Sequence, residues 1–68
     1  MHALIIGAGG AARAAVHSLS RLGVELVVLN RTPSKAESLA REVGARWGSL
    51  EESSAGLLDK GIDFAVQT

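Results

Sequence analysis

The sequence contains no cysteine, one proline and only two aromatic residues, Trp47 and Phe64. Without cysteine no disulfide can stabilise the fold, and its two histidines are too few for a structural zinc site. An excess of charge of one sign is also missing, because seven basic residues are balanced by seven acidic ones. Nucleic acids and anionic membrane surfaces attract proteins with a clear excess of positive charge. We therefore expect neither of them as a partner, and we expect no metal site.

The sequence also lacks a long apolar run. Its N-terminal uncharged stretch, residues 3–12, is too short to cross a membrane and contains three glycines. No lysine or arginine precedes this stretch, so it is a poor signal peptide as well. With 68 residues, the chain is long enough for one small domain. We expect a globular domain in the cytoplasm.

What is present is a regular alternation of apolar runs and helical patterns. Glycine separates each of three predicted helices from the next predicted strand, at Gly23, Gly44 and Gly61. Strands that alternate with helices of about ten residues indicate βαβ units and a parallel sheet. Right-handed crossovers then give the strand order 3-2-1-4, so we predict an α/β, Rossmann-like fold. The predicted strands cover residues 3–6, 24–29, 45–47 and 62–66, and the predicted helices cover residues 11–22, 33–43 and about 50–59.

A glycine-rich segment, GAGGAA at residues 7–12, lies between the first predicted strand and the first predicted helix. It fits the G-x-G-x-x-G/A pattern of dinucleotide-binding domains in the structural context that the pattern requires. Gly7 would form the tight turn, Gly9 would leave room for a pyrophosphate, and Ala12 would let the helix lie close to the sheet. The simpler interpretation is that the glycines only permit a tight turn. The predicted phosphate contacts are Gly7, Ala8, Gly9, Gly10 and Ala11.

The end of the second predicted strand indicates which dinucleotide to expect. In NAD-binding domains an Asp or Glu at this point binds the adenosine ribose, whereas this sequence has Asn30, Arg31 and Thr32. An arginine can bind a 2′-phosphate bidentately, and a threonine hydroxyl at a helix N-terminus suits an anion. These three residues and Lys35 are therefore candidate NADP ligands. In the alternative interpretation, Arg31 and Lys35 are ordinary surface charges and Thr32 is only a helix cap.

Three segments occur together in this sequence: GAGGAARA at residues 7–14, NRT at residues 30–32 and KAESLA at residues 35–40. The combination resembles the NADP-binding domain of the shikimate dehydrogenase family. The resemblance implies that the glycine-rich loop holds the pyrophosphate of NADP and that the Asn-Arg-Thr segment binds the 2′-phosphate, with Arg13 a further candidate near the phosphates. For a full-length relative it implies reversible hydride transfer between NADPH and 3-dehydroshikimate, which yields shikimate for the biosynthesis of chorismate and aromatic amino acids.

The resemblance also implies what to expect of the catalytic residues. In the family the catalytic Lys and Asp lie in a substrate-binding domain that precedes the nucleotide-binding domain, whereas here the first predicted strand follows Met1 almost directly. We therefore expect residues 1–68 to form an incomplete NADP-binding domain without the substrate domain, and we assign no catalytic residue. A family motif at the end of the fourth strand is altered, because Gln67 and Thr68 stand where Asn and Ala are expected.

The sequence leaves two other functions open. Glutamyl-tRNA reductases are similar in placing a glycine-rich loop before an Asn-Arg-Thr segment. Their loop more often carries an acidic or bulkier residue where this sequence continues with Gly10. The third function is a non-catalytic module that binds a nucleotide or another protein.

Two further expectations concern the surface. The fourth strand would form an edge of the sheet with unpaired backbone groups, so we expect the chain to associate with itself there. His17 stands next to Ser18, but adjacent helical residues point in different directions. The sequence indicates no acid that would orient the imidazole. We therefore expect a surface or helix-packing histidine and not a catalytic one.

Overall fold

The computed structural model describes residues 1–7, 9–49 and 61–68. Within these ranges four parallel strands form one sheet in the order β3-β2-β1-β4. The predicted α/β, Rossmann-like fold with strand order 3-2-1-4 is therefore confirmed. The elements are β1 (His2–Ile6), α1 (Gly10–Arg21), β2 (Glu25–Asn30), α2 (Pro33–Val43), β3 (Arg46–Ser49) and β4 (Phe64–Gln67).

The sheet is built around β1, which pairs with β2 on one side and with β4 on the other. Leu4 of β1, for example, lies opposite Val27 of β2 and Ala65 of β4. Both central strands are buried on both faces, as their continuous apolar sequences predict.

Successive residues of the central strands point to opposite faces of the sheet and build two separate hydrophobic clusters. Both helices pack on one face, where they cover the side chains of Ile5 and Val28. Leu4, Val27 and Leu29 form the cluster on the opposite face. The buried helical residues repeat at helical spacing, which explains why these sequences form helices with one face in the core. These residues are Ala12 and Val16 of α1 and Ala36, Leu39 and Ala40 of α2.

The C-terminus of α2 shows how glycine separates a helix from the next strand. Gly44 has φ 71° and ψ 27°, the left-handed conformation that a residue without Cβ adopts at low cost. The backbone N–H of Ala45 donates to the carbonyl of Ala40 at 2.9 Å. The chain therefore reverses direction immediately after α2 and enters β3.

All four strands differ from their predicted ranges by one or two residues at one or both ends, and β2 runs from Glu25 to Asn30 where residues 24–29 were predicted. β4 begins at Phe64 and not at Ile62, because Asp63 is bound to the first residue of β1: its carboxylate accepts from the backbone N–H of His2 at 2.7 Å. β1 includes His2, whose Nε2 lies 2.6 Å from the Glu25 carboxylate of β2. β3 extends to Ser49 and is longer than the predicted stub.

Two further expectations concern helices: the third predicted helix, and whether any helix is long and apolar enough to span a membrane. The predicted helix at residues 50–59 lies outside the described residues. Neither helix in the described part of the chain has the length and apolar character that crossing a bilayer requires.

Candidate nucleotide-binding site

The glycine-rich turn and the Asn-Arg-Thr segment follow neighbouring parallel strands, so they lie at the same edge of the sheet. Ile6 at the end of β1 is paired with Leu29 near the end of β2. The backbone N–H of Gly7 donates to the carbonyl of Leu29 at 2.9 Å and joins the two segments directly. In open α/β sheets, ligands bind at this carboxyl edge of the strands.

Gly7 makes the turn out of β1 in a conformation that other residues rarely adopt, with φ 122°. Thr68 packs against it from the end of β4, where its backbone N–H donates to the carbonyl of Ile6 at 2.9 Å. A Cβ built on Gly7 would lie 2.9 Å from the backbone oxygen of Thr68 and would also collide with its hydroxyl. Position 7 therefore requires glycine for two independent reasons, its backbone conformation and the approach of β4.

Gly9 and Gly10 leave open space in front of the N-terminus of α1. A Cβ built on either glycine would have no protein atom within 4 Å among its described neighbours. Gly9 is the N-cap residue and has no side chain to bind the first amides of the helix, and the first turn contains no acidic residue. Amides at a helix N-terminus that lack such partners bind anions, and phosphates in particular. This part of the site therefore fits a pyrophosphate.

Four of the five predicted phosphate contacts in the glycine-rich turn belong to the described residues. Gly7, Gly9, Gly10 and Ala11 all lie between β1 and the first turn of α1, and the last three are exposed. Ala8 lies outside the described residues.

The Asn-Arg-Thr segment is folded by a hydrogen bond of its own. Oδ1 of Asn30 accepts from the backbone N–H of Thr32 at 2.8 Å, the pattern of an Asx turn. Thr32 is the N-cap residue of α2 by position, but its hydroxyl makes no capping hydrogen bond. The amide of Asn30 thus supports the turn, while the hydroxyl of Thr32 is not needed to cap the helix.

Arg31 and Lys35 add positive charge at this edge of the sheet. Both side chains are exposed, and neither forms an ion pair with another described residue. The first turn of α2 contains no acidic residue. Two cations with no carboxylate partner in the described part of the chain, beside a hydroxyl at a helix N-terminus, form a surface that attracts a phosphate.

A charged contact that the sequence did not reveal joins the two helices. The carboxylate of Glu42 on α2 lies 3.0 Å from Nη2 of Arg13 and 2.8 Å from Nε2 of His17, both on α1. The hydrogen bond with His17, helped by the charge of Arg13 and opposed by desolvation, holds the pKa of the Glu42 carboxyl below its ordinary value. The sequence indicates no acid beside His17, and the structure corrects this: the partner lies 25 residues away on another helix.

The fold, the strand order and the glycine turn define a Rossmann-like α/β domain. The family profile described as shikimate/quinate 5-dehydrogenase matches residues 1–63. The chain therefore belongs to the shikimate/quinate 5-dehydrogenase family, as the resemblance found in the sequence implied.

Individual relatives support the same assignment. An NADP(+)-type shikimate dehydrogenase of Pyrococcus abyssi is 55% identical over 49 residues, which are 72% of this chain and 18% of the relative. A crystal structure of shikimate 5-dehydrogenase from Thermus thermophilus in complex with NADP(H) and shikimate superposes with a TM-score of 0.67. It is 49% identical, and the match covers 75% of this chain and 20% of that one.

A further relative belongs to the second enzyme class that the sequence left open, the glutamyl-tRNA reductases. A glutamyl-tRNA reductase of Sorangium cellulosum is 52% identical over 54 residues, which are 75% of this chain and 10% of the relative. The chain thus spans about a fifth or less of the length of these relatives.

Proposed function

We propose that this chain is the NADP-binding part of a shikimate dehydrogenase, an enzyme that transfers hydride reversibly between NADPH and 3-dehydroshikimate. The Thermus relative at 49% identity is described as a complex with NADP(H) and shikimate, which supports both the cofactor and the substrate. The absence of cysteine from the sequence supports a reducing compartment, and we propose the cytoplasm.

The observation that carries the proposal is the composition of one edge of the sheet. The open helix N-terminus at Gly9 and the cations Arg31 and Lys35 follow two adjacent strands. The end of β2 lacks the Asp or Glu that binds the ribose of NAD, because β2 ends in Asn30. A carboxylate there would repel a 2′-phosphate, whereas a guanidinium binds one.

In this proposal each segment has one role. The amides of the first turn of α1 hold the pyrophosphate, Asn30 shapes the loop, and Arg31, Thr32 and Lys35 bind the 2′-phosphate. The cofactor supplies the hydride, and the protein supplies its binding and orientation. We assign no catalytic residue. We propose that residues other than these cofactor-binding ones transfer the proton to the substrate.

The first test compares the dissociation constants of NADPH and NADH by isothermal titration calorimetry. We expect NADPH to bind about tenfold or more tightly, because a charge-assisted contact to the extra phosphate contributes at least about 1.5 kcal/mol. Arg31→Ala should remove most of this preference. Arg46→Ala is the matched control, because Arg46 is exposed at the opposite end of a strand, at the start of β3. Equal affinity for the two dinucleotides in the unaltered chain would disprove NADP specificity.

The second candidate function is a glutamyl-tRNA reductase, and the Sorangium relative at 52% identity favours it. A chimera separates the two functions: this chain replaces the matching segment of the Thermus shikimate dehydrogenase. We expect the chimera to reduce 3-dehydroshikimate with NADPH at a rate within about tenfold of the parent enzyme. The corresponding segment of the Sorangium protein, grafted in the same way, is the control. An active chimera beside an inactive control supports the dehydrogenase, whereas inactivity of both would favour the reductase.

A further inference from the structure

A surface depression of about 390 Å³ lies between the two helices, beside the proposed nucleotide site. One cation from each helix contributes to its lining, Arg13 from α1 and Lys35 from α2. Among the described residues, no carboxylate lines it. The remaining lining residues are Ser34, Ser38 and Leu39, so two hydroxyls accompany the two cations. Paired cations with neutral hydrogen-bond donors are the chemistry that binds a phosphate dianion.

Arg13 is held in this position at both of its ends. Its backbone N–H donates to the carbonyl of Gly9 at 3.0 Å, so the residue is joined to the glycine-rich turn. Its guanidinium contacts the Glu42 carboxylate through Nη2, at 3.0 Å. Because a guanidinium has five N–H donors in a planar fork, most of them stay available for a second partner.

Glu42 holds the arginine without filling the depression. Its other carboxylate oxygen, Oε1, is bound to His17 at 2.8 Å, and Glu42 is not among the lining residues. The carboxylate therefore restrains one side of the Arg13 guanidinium. An anion in the depression would meet the other side.

We propose that Arg13 is a specificity-determining residue that binds the 2′-phosphate of NADP together with Lys35. The inference rests on the proposed function and extends it to a residue outside the Asn-Arg-Thr segment. The position of the depression favours the 2′-phosphate over the pyrophosphate. Lys35 stands in the first turn of α2, which follows the strand end where the adenosine ribose binds. The pyrophosphate belongs in front of Gly9 at the N-terminus of α1.

Four forms of the chain test this role by titration with NADPH and with NADH. They are the unaltered chain, Arg13→Ala, Arg13→Lys and the control Arg21→Ala, since Arg21 is exposed in the last turn of α1 and lines neither site. We expect Arg13→Ala to weaken NADPH binding about tenfold and NADH binding less than about twofold. Arg13→Lys should recover part of the loss because it keeps the charge, and Arg21→Ala should change neither affinity.

The outcomes separate this inference from the proposed function. If the unaltered chain prefers NADPH and only Arg31→Ala removes the preference, the proposed function stands and the role of Arg13 is wrong. A loss of equal size for both dinucleotides in Arg13→Ala would also overturn it, because that result indicates the pyrophosphate. If the unaltered chain shows no preference, both proposals fail.

A second measurement needs no variant and so does not depend on the folding of one. The side-chain Nε–Hε signal of Arg13 is followed by NMR in the unaltered chain during titration with adenosine 2′,5′-bisphosphate and with 5′-AMP. We expect the bisphosphate to shift this signal and 5′-AMP to leave it in place. An unshifted signal at saturation with the bisphosphate would overturn the inference.

Discussion

Thr68 at the end of β4 occupies the space in which a side chain at Gly7 would have to lie. The backbone oxygen of Thr68 would be 2.9 Å from a Cβ on Gly7, closer than such atoms approach in proteins. Thr68 is itself fixed by the hydrogen bond from its N–H to the carbonyl of Ile6. The glycine-rich turn therefore packs against β4 as well as against β2, and its shape depends on three strands.

We predict that Gly7→Ala and Gly9→Ala have different effects, although both alter the same motif. Gly7→Ala should lower the free energy of unfolding by about 1–3 kcal/mol from backbone strain alone, and by more because of the collision with Thr68. Gly9 has φ −81° and open space around it, so Gly9→Ala should leave stability nearly unchanged. It should weaken dinucleotide binding about tenfold or more, because the new methyl group takes space proposed for the pyrophosphate.

Urea denaturation and calorimetric titration of both variants measure these effects separately. A Gly7→Ala protein as stable as the unaltered chain would contradict the packing of Thr68 against the turn. Unchanged affinity in Gly9→Ala would contradict the placement of the pyrophosphate.

We predict that Asn30 has a structural role and that Thr32 has a binding role. Asn30→Ala removes the acceptor of the Thr32 backbone N–H, so we expect it to cost about 1 kcal/mol of stability and to weaken the binding of both dinucleotides. Thr32→Val removes a hydroxyl that makes no capping hydrogen bond. It should therefore leave the midpoint of urea denaturation nearly unchanged and weaken NADPH binding more than NADH binding. A large loss of stability in Thr32→Val would show that the hydroxyl does cap α2.

The parts of the fold that were predictable depend on local chemistry. Gly44 ends α2 in a left-handed conformation, as a glycine after an amphipathic helix predicts. The apolar run of β2 and the helices between strands were enough to predict the parallel sheet and its order. Each of these signals involves residues close in sequence, which is why one sequence was sufficient.

What could not be predicted depends on contacts between distant residues. Glu42 meets Arg13 and His17 only because α1 and α2 lie side by side, and no spacing in the sequence indicates that pair. The start of β4 depends in the same way on the contact of Asp63 with His2, 61 residues apart. The sequence also could not decide whether the hydroxyl of Thr32 caps α2: in the structure Oδ1 of Asn30 accepts from the backbone N–H of Thr32, and the hydroxyl makes no capping hydrogen bond.

Glu42 should make the stability of the chain depend on pH in the acidic range. Because the pKa of its carboxyl is lowered in the fold, the carboxylate stabilises the folded state at pH values above its ordinary value of about 4.5. That contribution is lost as the pH falls through the lowered value. We therefore expect Glu42→Gln to be less stable than the unaltered chain at pH 7, and the difference to shrink below about pH 4.5.

Urea denaturation at several pH values between 2.5 and 7 (about the range over which such carboxyls titrate) measures this difference. Glu37→Gln is the matched control, because Glu37 pairs with Arg41 within α2 and does not join the helices. A stability difference between Glu42→Gln and the unaltered chain that stayed constant down to the lowest pH would refute the assignment.

The outer edge of β4 should make the chain associate with itself. β4 is the last strand in the sheet order and is paired only with β1 among the described strands. Its other edge therefore presents backbone N–H and C=O groups that a second copy can pair with. Ala65→Lys should reduce this association, because Ala65 is exposed and a charged side chain on an edge strand opposes strand addition.

Sedimentation velocity over a hundredfold range of concentration (roughly micromolar to sub-millimolar, where such contacts assemble) measures the association. The weight-average sedimentation coefficient of the unaltered chain should rise with concentration, and that of Ala65→Lys should rise less. Ala14→Lys adds the same charge on the exposed surface of α1 and is the control, which should behave like the unaltered chain. Because net charge alone also opposes association, only a difference between the two lysine variants assigns the contact to β4. A monomer at every concentration would refute the prediction.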